Sequence, residues 1–330
     1  MEGLIKSLPF FKQPGYELES ILKLCGGQQN HNYKITVKNG QKIVCRIPGI
    51  DAIEHGQTHQ IVFNNSLIAY KELKIAPRPC YFDETTGIML TEYIEGETVS
   101  SSALREDNSL LKSVIGAIRF SHEKSNSSNA FTSSKASDVL FGYDLSLLEG
   151  CSDEKEVKKT KQLQLLLNQS IGKFDTKVNC HNDLVPANFL SSSDGRIYII
   201  DWEWSGPGDR FCDLAPFVAM SEMDAKEEER VLELYLEPLK PTDTDRSRLY
   251  LWRMWLTLRG GLWALSKAKS PHFSNRSQSE ITEDDDYERF AKSWIKEFET
   301  KLSDPITENH MTYLENKIKE MSSSGKTFHI

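Results

Sequence analysis

The sequence predicts an α+β protein in which a small antiparallel sheet with one packed helix is followed by a larger, mainly helical part. The sheet is predicted because Asn39-Gly40 separates two strand-like runs, and this dipeptide favours a hairpin turn that needs positive φ at both residues. The helical part is predicted because apolar residues recur at helical spacing through most of the chain after Gly96. A length of 330 residues suits a bilobed chain or two domains.

The first ninety residues contain two predicted hairpins with a helix between them. The four predicted strands cover residues 33–37, 41–47, 79–83 and 88–94. Between the hairpins, residues 61–73 carry apolar side chains near helical period, and the pattern stops before Pro77. This arrangement predicts that the helix packs on one small sheet.

The rest of the chain alternates between long predicted helices and one strand-rich segment, residues 177–201. A helix is predicted around the apolar stripe at Leu111, Val114, Ile115 and Ile118. Further predicted helices cover residues 155–171, 226–239, 246–266, 286–301 and 307–321.

The composition excludes several classes of protein. With 40 Lys and Arg against 48 Asp and Glu, the net charge is −8, which argues against a general nucleic-acid binder and suits a cationic small substrate. The six cysteines form no CxxC pair, so we expect reduced thiols rather than a zinc site or disulfide framework. No apolar run approaches the ~18 residues that span a bilayer, and the first residues lack a signal-peptide core. The sequence thus predicts a soluble, cytoplasmic protein without membrane insertion.

The strand-rich segment carries residues typical of phosphoryl transfer. His181-Asn182-Asp183 and Asn188 form the pattern H-x-D-x-x-x-x-N, and Asp201 follows an apolar strand thirteen residues after Asn188. Phosphoryl transfer needs a carboxylate that orients the attacking hydroxyl and metal ions that hold the phosphates, and Mg²⁺ prefers oxygen ligands. We predict that Asp183 accepts the substrate proton and that Asn188 and Asp201 bind Mg²⁺. Either motif alone recurs by chance, whereas both in this order rarely do.

These motifs resemble the choline/ethanolamine kinases, most closely the bacterial choline kinases of surface-polysaccharide decoration, within the aminoglycoside phosphotransferase-like group. The matching residues are Gly26 and Gly27 with Asn30 and Asn32, residues 44–49, residues 181–183 with Asn188, residues 200–206 with 211–215, and residues 261–263. The resemblance implies a bilobed protein-kinase-like fold that transfers the γ-phosphate of ATP to a hydroxyl with the help of Mg²⁺. It also implies a nucleotide-binding lobe in residues 1–95 and a catalytic and substrate-binding lobe in residues 96–330.

The resemblance further implies which residues bind the nucleotide. These are Gly26, Gly27, Asn30, Arg46, Glu92, Tyr93 and Ile94. Glycines let backbone amides approach phosphates, and a guanidinium suits bidentate contact with phosphate oxygens. Arg46 lies on the strand where a protein kinase carries its phosphate-binding lysine, and residues 92–94 would form the hinge that binds adenine. The helix that should supply an acidic partner for Arg46 reads His-Gln-Ile-Val-Phe-Asn-Asn in residues 59–65, so this partner is left unassigned.

Substrate recognition is expected to depend on aromatic rings and carboxylates, because a quaternary ammonium has no N–H to donate. The resemblance implies Trp263 and Tyr287 as the aromatic partners, and Glu203 could assist the metal site or meet the cation.

Asp213 is expected to brace the catalytic loop.

The helix before Trp263 departs from the family pattern at Gly260, where some members carry another tryptophan. Trp204 or Trp255 could complete the aromatic cage at this point. Trp252 and Trp255 form an apolar stripe, which is more often part of a core than of a binding site.

The sequence as a whole predicts a choline kinase that acts on a small cationic alcohol, and it leaves a homodimer open. The same chemistry on ethanolamine, thiamine, an amino sugar or an aminoglycoside is the alternative. A catalytically silent binding protein is a third hypothesis, which the loss of Asp183, Asn188 or Asp201 would favour; all three are present.

Overall fold

The computed structural model describes residues 1–24, 30–49, 58–124, 131, 145–148, 152–175, 177–270 and 286–324. They form two compact units. The first unit contains residues 1–134 and 186–206, and the second contains residues 135–185 and 207–330. The division of labour at residue 96, with nucleotide binding before it and substrate binding after it, stays a prediction.

The first unit is built on an antiparallel sheet of five strands in the order β1-β2-β3-β5-β4. The strands are β1 (Leu18–Lys23), β2 (Asn30–Val37), β3 (Lys42–Pro48), β4 (Pro79–Phe82) and β5 (Met89–Glu92). Both predicted hairpins are confirmed, with Tyr33 opposite Cys45 in one and Tyr81 opposite Leu90 in the other. The predicted positive φ at both turn residues is wrong: Gly40 has φ of 84° and Asn39 does not, because residues 38–41 form a longer loop than a two-residue turn. The edge strand β1 was not predicted, because its buried and exposed residues do not alternate.

An apolar core covers one face of this sheet. It consists of residues from the short helix α1 (Glu2–Ser7), the 3₁₀ turn Pro9–Lys12 and the sheet, including Ile5, Phe11 and Ile35. Burial raises the pKa of the Cys45 thiol in this core to about 12, so the thiol stays protonated and serves packing.

Helices and a second sheet complete the first unit. Helix α2 (His59–Ile68) begins at Thr58, whose side-chain oxygen accepts a hydrogen bond from the Ile61 N–H at 3.2 Å, and it continues as a π turn at Ala69–Leu73. This confirms the predicted helix. The remaining elements are α3 (Ser101–Glu106), α4 (Asn108–Lys124) and a three-stranded sheet of β6 (Gly96–Thr98), β8 (Phe189–Ser192) and β9 (Ile197–Ile199).

The second unit is mainly helical, as the sequence predicts. Its elements are α5 (Glu154–Ser170), strands β7 (Val178–Cys180) and β10 (Gly206–Gly208), α6 (Phe211–Met220), α7 (Ala225–Leu236), α8 (Asp243–Lys269), α9 (Tyr287–Leu302) and α10 (Pro305–Ser324). Capping boxes start α5, α7 and α8, which explains why these helices begin where they do. Trp252 and Trp255 of α8 are 0% and 2% exposed, which confirms their predicted place in the core. Within the described ranges, no helix is long and apolar enough to cross a membrane.

Candidate active site

The backbone that leads into Asp183 is held by the carboxylate of Asp213. One carboxylate oxygen of Asp213 accepts a hydrogen bond from the His181 N–H and the other from the Asn182 N–H, each at 2.7 Å. Asn182 has φ of 65°, a left-handed conformation that is costly for a residue other than glycine. The fully buried Asp213 therefore fixes a strained turn just before Asp183. This confirms the prediction that Asp213 braces the loop.

Arg259 of α8 holds the same turn from its carbonyl side. Its Nη1 and Nη2 atoms both lie 3.4 Å from the carbonyl oxygen of Asn182. Both polar groups of the Asn182 backbone are thus bound by charged side chains, which orients the half-buried Asp183 that follows. Sequence reasoning missed this role of Arg259. The available signal was that Arg259 lies four residues after Trp255, on the same helix face.

Asn188 and Asp201 are brought together by the hairpin of β8 and β9. The Ile200 N–H donates to the carbonyl oxygen of Asn188 at 2.9 Å, so the residue before Asp201 is bonded to Asn188. Asn188 is 9% exposed and ends the 3₁₀ turn Pro186–Asn188. Asp201 has φ of 66°, which turns the chain sharply at the end of the strand.

The donor set at this hairpin fits Mg²⁺. An amide and a carboxylate side chain supply the hard oxygen ligands that this ion prefers. Among the described residues, no group donates a hydrogen bond to the Asp201 carboxylate, although this side chain is half-buried. A half-buried carboxylate with no protein donor suits a cation as its partner.

Arg46 forms a buried ion pair with Glu203. Their side chains are 11% and 6% exposed, and Nη2 of Arg46 bonds to Oε2 of Glu203. Glu203 lies in the 3₁₀ turn Trp202–Trp204, immediately after Asp201. The acidic partner that the sequence left unassigned therefore comes from this turn rather than from helix α2. A contact of Glu203 with substrate stays a prediction.

Helix α2 reaches the same turn through an amide. The Asn65 side chain is fully buried, and its Nδ2 donates to the carbonyl oxygens of Trp202 and Ser205, each at 3.3 Å. These two hydrogen bonds bracket Glu203 and fix the turn that carries it. Asn65 lies in the stretch where the family resemblance suggested a glutamate, and this role was not predicted.

The predicted hinge residues Glu92 and Tyr93 already use their backbone donors within the first unit. The Glu92 N–H donates to the Arg78 carbonyl at 2.9 Å, and the Tyr93 N–H donates to the Lys42 carbonyl at 3.2 Å. The Lys34 ammonium lies 4.0 Å from the centre of the Tyr93 ring. The Ile94 N–H donates to no group in the described part of the chain.

The glycine loop of the predicted nucleotide site is described only at its end. Gly26 and Gly27 lie outside the described residues. Asn30, the first residue of β2, is 7% exposed, and its buried Oδ1 finds no partner among the residues that the structure describes.

Trp263 and Tyr287 lie together, as the resemblance implies. Their rings are T-shaped, with centroids 5.3 Å apart and an interplanar angle of 89°. Tyr287 is 5% exposed and opens α9, whereas Trp263 is half-buried on α8. Trp255 is a core residue, so it does not complete a cage at Gly260. These rings and the Asp183 loop both belong to the second unit.

Known proteins resemble the chain in sequence. A model of the phosphotransferase enzyme family matches residues 20–252. Protein LicA from Haemophilus influenzae is 30% identical over 213 residues, which make up 64% of this chain and 61% of that protein. The chain therefore spans about three fifths of the length of that relative.

Solved structures resemble it in fold. A choline/ethanolamine kinase family protein from Mesorhizobium loti is 20% identical and superposes with a TM-score of 0.73. The alignment covers 94% of this chain and 97% of that protein's chain. Choline kinase LicA from Streptococcus pneumoniae is 22% identical, with a TM-score of 0.70. That alignment covers 91% of this chain and 99% of the LicA chain. These matches confirm the protein-kinase-like α+β fold that the sequence predicts. The chain belongs to the phosphotransferase enzyme family.

Proposed function

We propose that this chain is an ATP- and Mg²⁺-dependent choline kinase. The observation that carries the choice of choline is the perpendicular pair of Trp263 and Tyr287, in the same compact unit as the Asp183 loop. Aromatic faces attract a quaternary ammonium without needing a hydrogen bond from it. The family membership and the sequence motifs that contain Asp183, Asn188 and Asp201 support the chemistry.

In the proposed reaction, the choline oxygen bonds to the γ-phosphorus of ATP, and the bond from that phosphorus to the β,γ-bridging oxygen breaks to release ADP. The hydroxyl proton passes to the Asp183 carboxylate, which Asp213 and Arg259 orient through the backbone of Asn182. Asn188 and Asp201 would hold Mg²⁺. When bound, this ion neutralises charge on the phosphates.

The proposed nucleotide contacts come from the first unit. Arg46 would bind phosphate oxygens with its guanidinium oriented by Glu203, and the loop of Gly26 and Gly27 with Asn30 would supply further donors. At the hinge, Ile94 would donate its N–H to adenine, while Glu92 and Tyr93 shape the strand end beside it.

A panel of acceptors tests the proposed function. ADP release would be measured with ATP and Mg²⁺ against choline, ethanolamine, thiamine and kanamycin. We expect turnover with choline at the highest kcat/KM. A higher kcat/KM with another acceptor would make that compound the substrate in place of choline, and the proposed phosphoryl transfer would stand. No turnover with any of the four would favour a binding protein.

The ion pair of Arg46 with Glu203 gives a second test. We expect Glu203→Gln to raise the KM for ATP about tenfold, because Arg46 loses the carboxylate charge that orients its guanidinium and keeps only a weaker hydrogen bond to a neutral amide oxygen. Steady-state kinetics with ATP and choline varied separately would measure this change. Glu95→Gln is the matched control, since Glu95 forms an exposed pair with Lys42 in the same unit. An increase in the KM for choline alone would instead assign Glu203 to the substrate cation.

A further inference from the structure

Two consecutive glycines let helices α8 and α9 approach closely. A Cβ atom placed on Gly260 would lie 2.5 Å from Cζ3 of Trp294, and one on Gly261 would lie 2.9 Å from Cγ1 of Ile295. Both separations are far shorter than van der Waals contact between carbon atoms. The ring of Trp294 therefore fills the space that any side chain at position 260 would need.

This ring lies on the same helix face as the candidate cation site. Gly260 precedes Trp263 by three residues, so the surface covered by Trp294 is one helical turn from Trp263. On α9, Tyr287, Phe290 and Trp294 follow one another at spacings of three and four residues, which also puts them on one face. The two faces meet along one seam of α8 and α9.

The aromatic rings along this seam are continuous. Phe290 and Trp263 both pack against the cluster of Ala264, Tyr287 and Ala291, and Phe290 stacks on Trp294 with centroids 6.2 Å apart and an interplanar angle of 27°. Trp263, Phe290 and Trp294 are each half-buried, so part of each ring stays accessible to a ligand. A cation bound at Trp263 and Tyr287 would thus meet an aromatic surface that extends towards Trp294.

We propose that Trp294 is a specificity-determining residue, which supplies from α9 the aromatic wall that Gly260 cannot supply from α8. This inference rests on the proposed function. An aromatic wall attracts a trimethylammonium group but offers no acceptor oxygen to the N–H groups of a primary ammonium. The ring at position 294 therefore favours choline over ethanolamine.

Substitutions at the two facing positions test this role. We expect Trp294→Ala to raise the KM for choline by about 2- to 30-fold, with the kcat and the KM for ATP nearly unchanged. Trp294→Phe should give a smaller increase, since a smaller aromatic face remains. The preference for choline over ethanolamine, measured as the ratio of kcat/KM values, should fall in both variants.

A swap of the ring between the helices is the sharper test. Gly260→Trp alone should disrupt the seam, because its Cβ has no room beside Trp294. In Gly260→Trp combined with Trp294→Ala, the new ring has the vacated space, so we expect much of the affinity for choline to return. Ile295→Ala is the matched control: it removes packing against the neighbouring Gly261 without removing an aromatic face, and it should leave the KM for choline unchanged.

Binding and kinetics together separate the failure of this inference from the failure of the proposed function. Tetramethylammonium chloride titrated against intrinsic tryptophan fluorescence would give a dissociation constant for wild type, Trp294→Phe and the swap variant without any turnover. If wild type turns over choline and both Trp294→Phe and Trp294→Ala have its KM for choline, the role of Trp294 is overturned. The proposed choline kinase activity would then stand without it. Wild type without turnover on choline would overturn the proposed function itself. A weaker tetramethylammonium affinity in Trp294→Phe, recovered in the swap variant, would support the inference even if Trp294→Ala fails to fold.

Discussion

Asp183→Asn is expected to lower the kcat for choline phosphorylation by about 10²- to 10⁴-fold, the range over which a general base contributes to catalysis. The amide has nearly the same shape as the carboxylate but cannot accept the proton of the substrate hydroxyl. The turn before it should persist, because Asp213 and Arg259 bind the backbone of Asn182 and neither contact involves the Asp183 carboxylate. The loss should therefore appear in kcat, with the KM for ATP little changed.

The experiment compares single-turnover rates, the Tm and the affinity for a non-hydrolysable ATP analogue in wild type and Asp183→Asn. Asp194→Asn is a matched control, since Asp194 is an exposed carboxylate in the turn of the β8–β9 hairpin and binds Arg196 there. This control should keep the wild-type rate. If the single-turnover rate of Asp183→Asn is within a few-fold of the wild-type rate, Asp183 is not the proton acceptor.

The elements that the sequence predicts correctly are those fixed by neighbouring residues. The Asn39-Gly40 turn sets one hairpin, and the side chain of Thr58 caps helix α2. Strand β1 was not predicted, since its own residues show no alternation of buried and exposed side chains and it is defined by its pairing with β2. Local patterns thus predict most helices and hairpins, and they fail where an element depends on its partner.

The same distinction applies to the candidate site. The bracing role of Asp213 could be predicted because residues 211–215 match a segment of the family that the sequence resembles. The partner of Arg46 could not, because Glu203 is 157 residues further along the chain and the ion pair forms only after folding. Trp294 was missed for the same reason: Gly260 indicated a missing ring, and no local pattern showed that another helix fills the space.

The second large effect is expected at Arg248, which is buried among two carboxylates and two aromatic rings. Its side chain is 1% exposed and bonds to Asp209 and Asp175, with its nearest contact to each at 2.8 Å. The rings of Phe211 and Phe174 lie 4.5 Å and 5.4 Å from the guanidinium carbon. Burial opposes the charged form, yet the two carboxylates hold the pKa of Arg248 above its ordinary value.

This arrangement supports the backbone that leads to Asp213. The carboxylate of Asp209, fully buried, accepts a hydrogen bond from the Phe211 N–H at 3.0 Å, at the start of α6. The carbonyl oxygen of Asp209 accepts a hydrogen bond at 3.2 Å from the thiol of Cys180, which directly precedes His181-Asn182-Asp183. Loss of Arg248 leaves the buried carboxylate of Asp209 without its charged partner at the start of α6.

Arg248→Met is therefore expected to lower the free energy of unfolding by about 3–5 kcal/mol, the cost of breaking a buried ion pair from one side. Urea unfolding followed by circular dichroism would measure it. Arg246→Met is the matched control, two residues earlier on the same helix, because Arg246 pairs with Glu229 at the exposed surface and its loss should cost about 0–1 kcal/mol. Adding Asp209→Asn to Arg248→Met should recover part of the stability, since the unpaired charge is then removed. Equal free energies of unfolding for Arg248→Met and Arg246→Met would mean that Arg248 does not stabilise the backbone around Asp209.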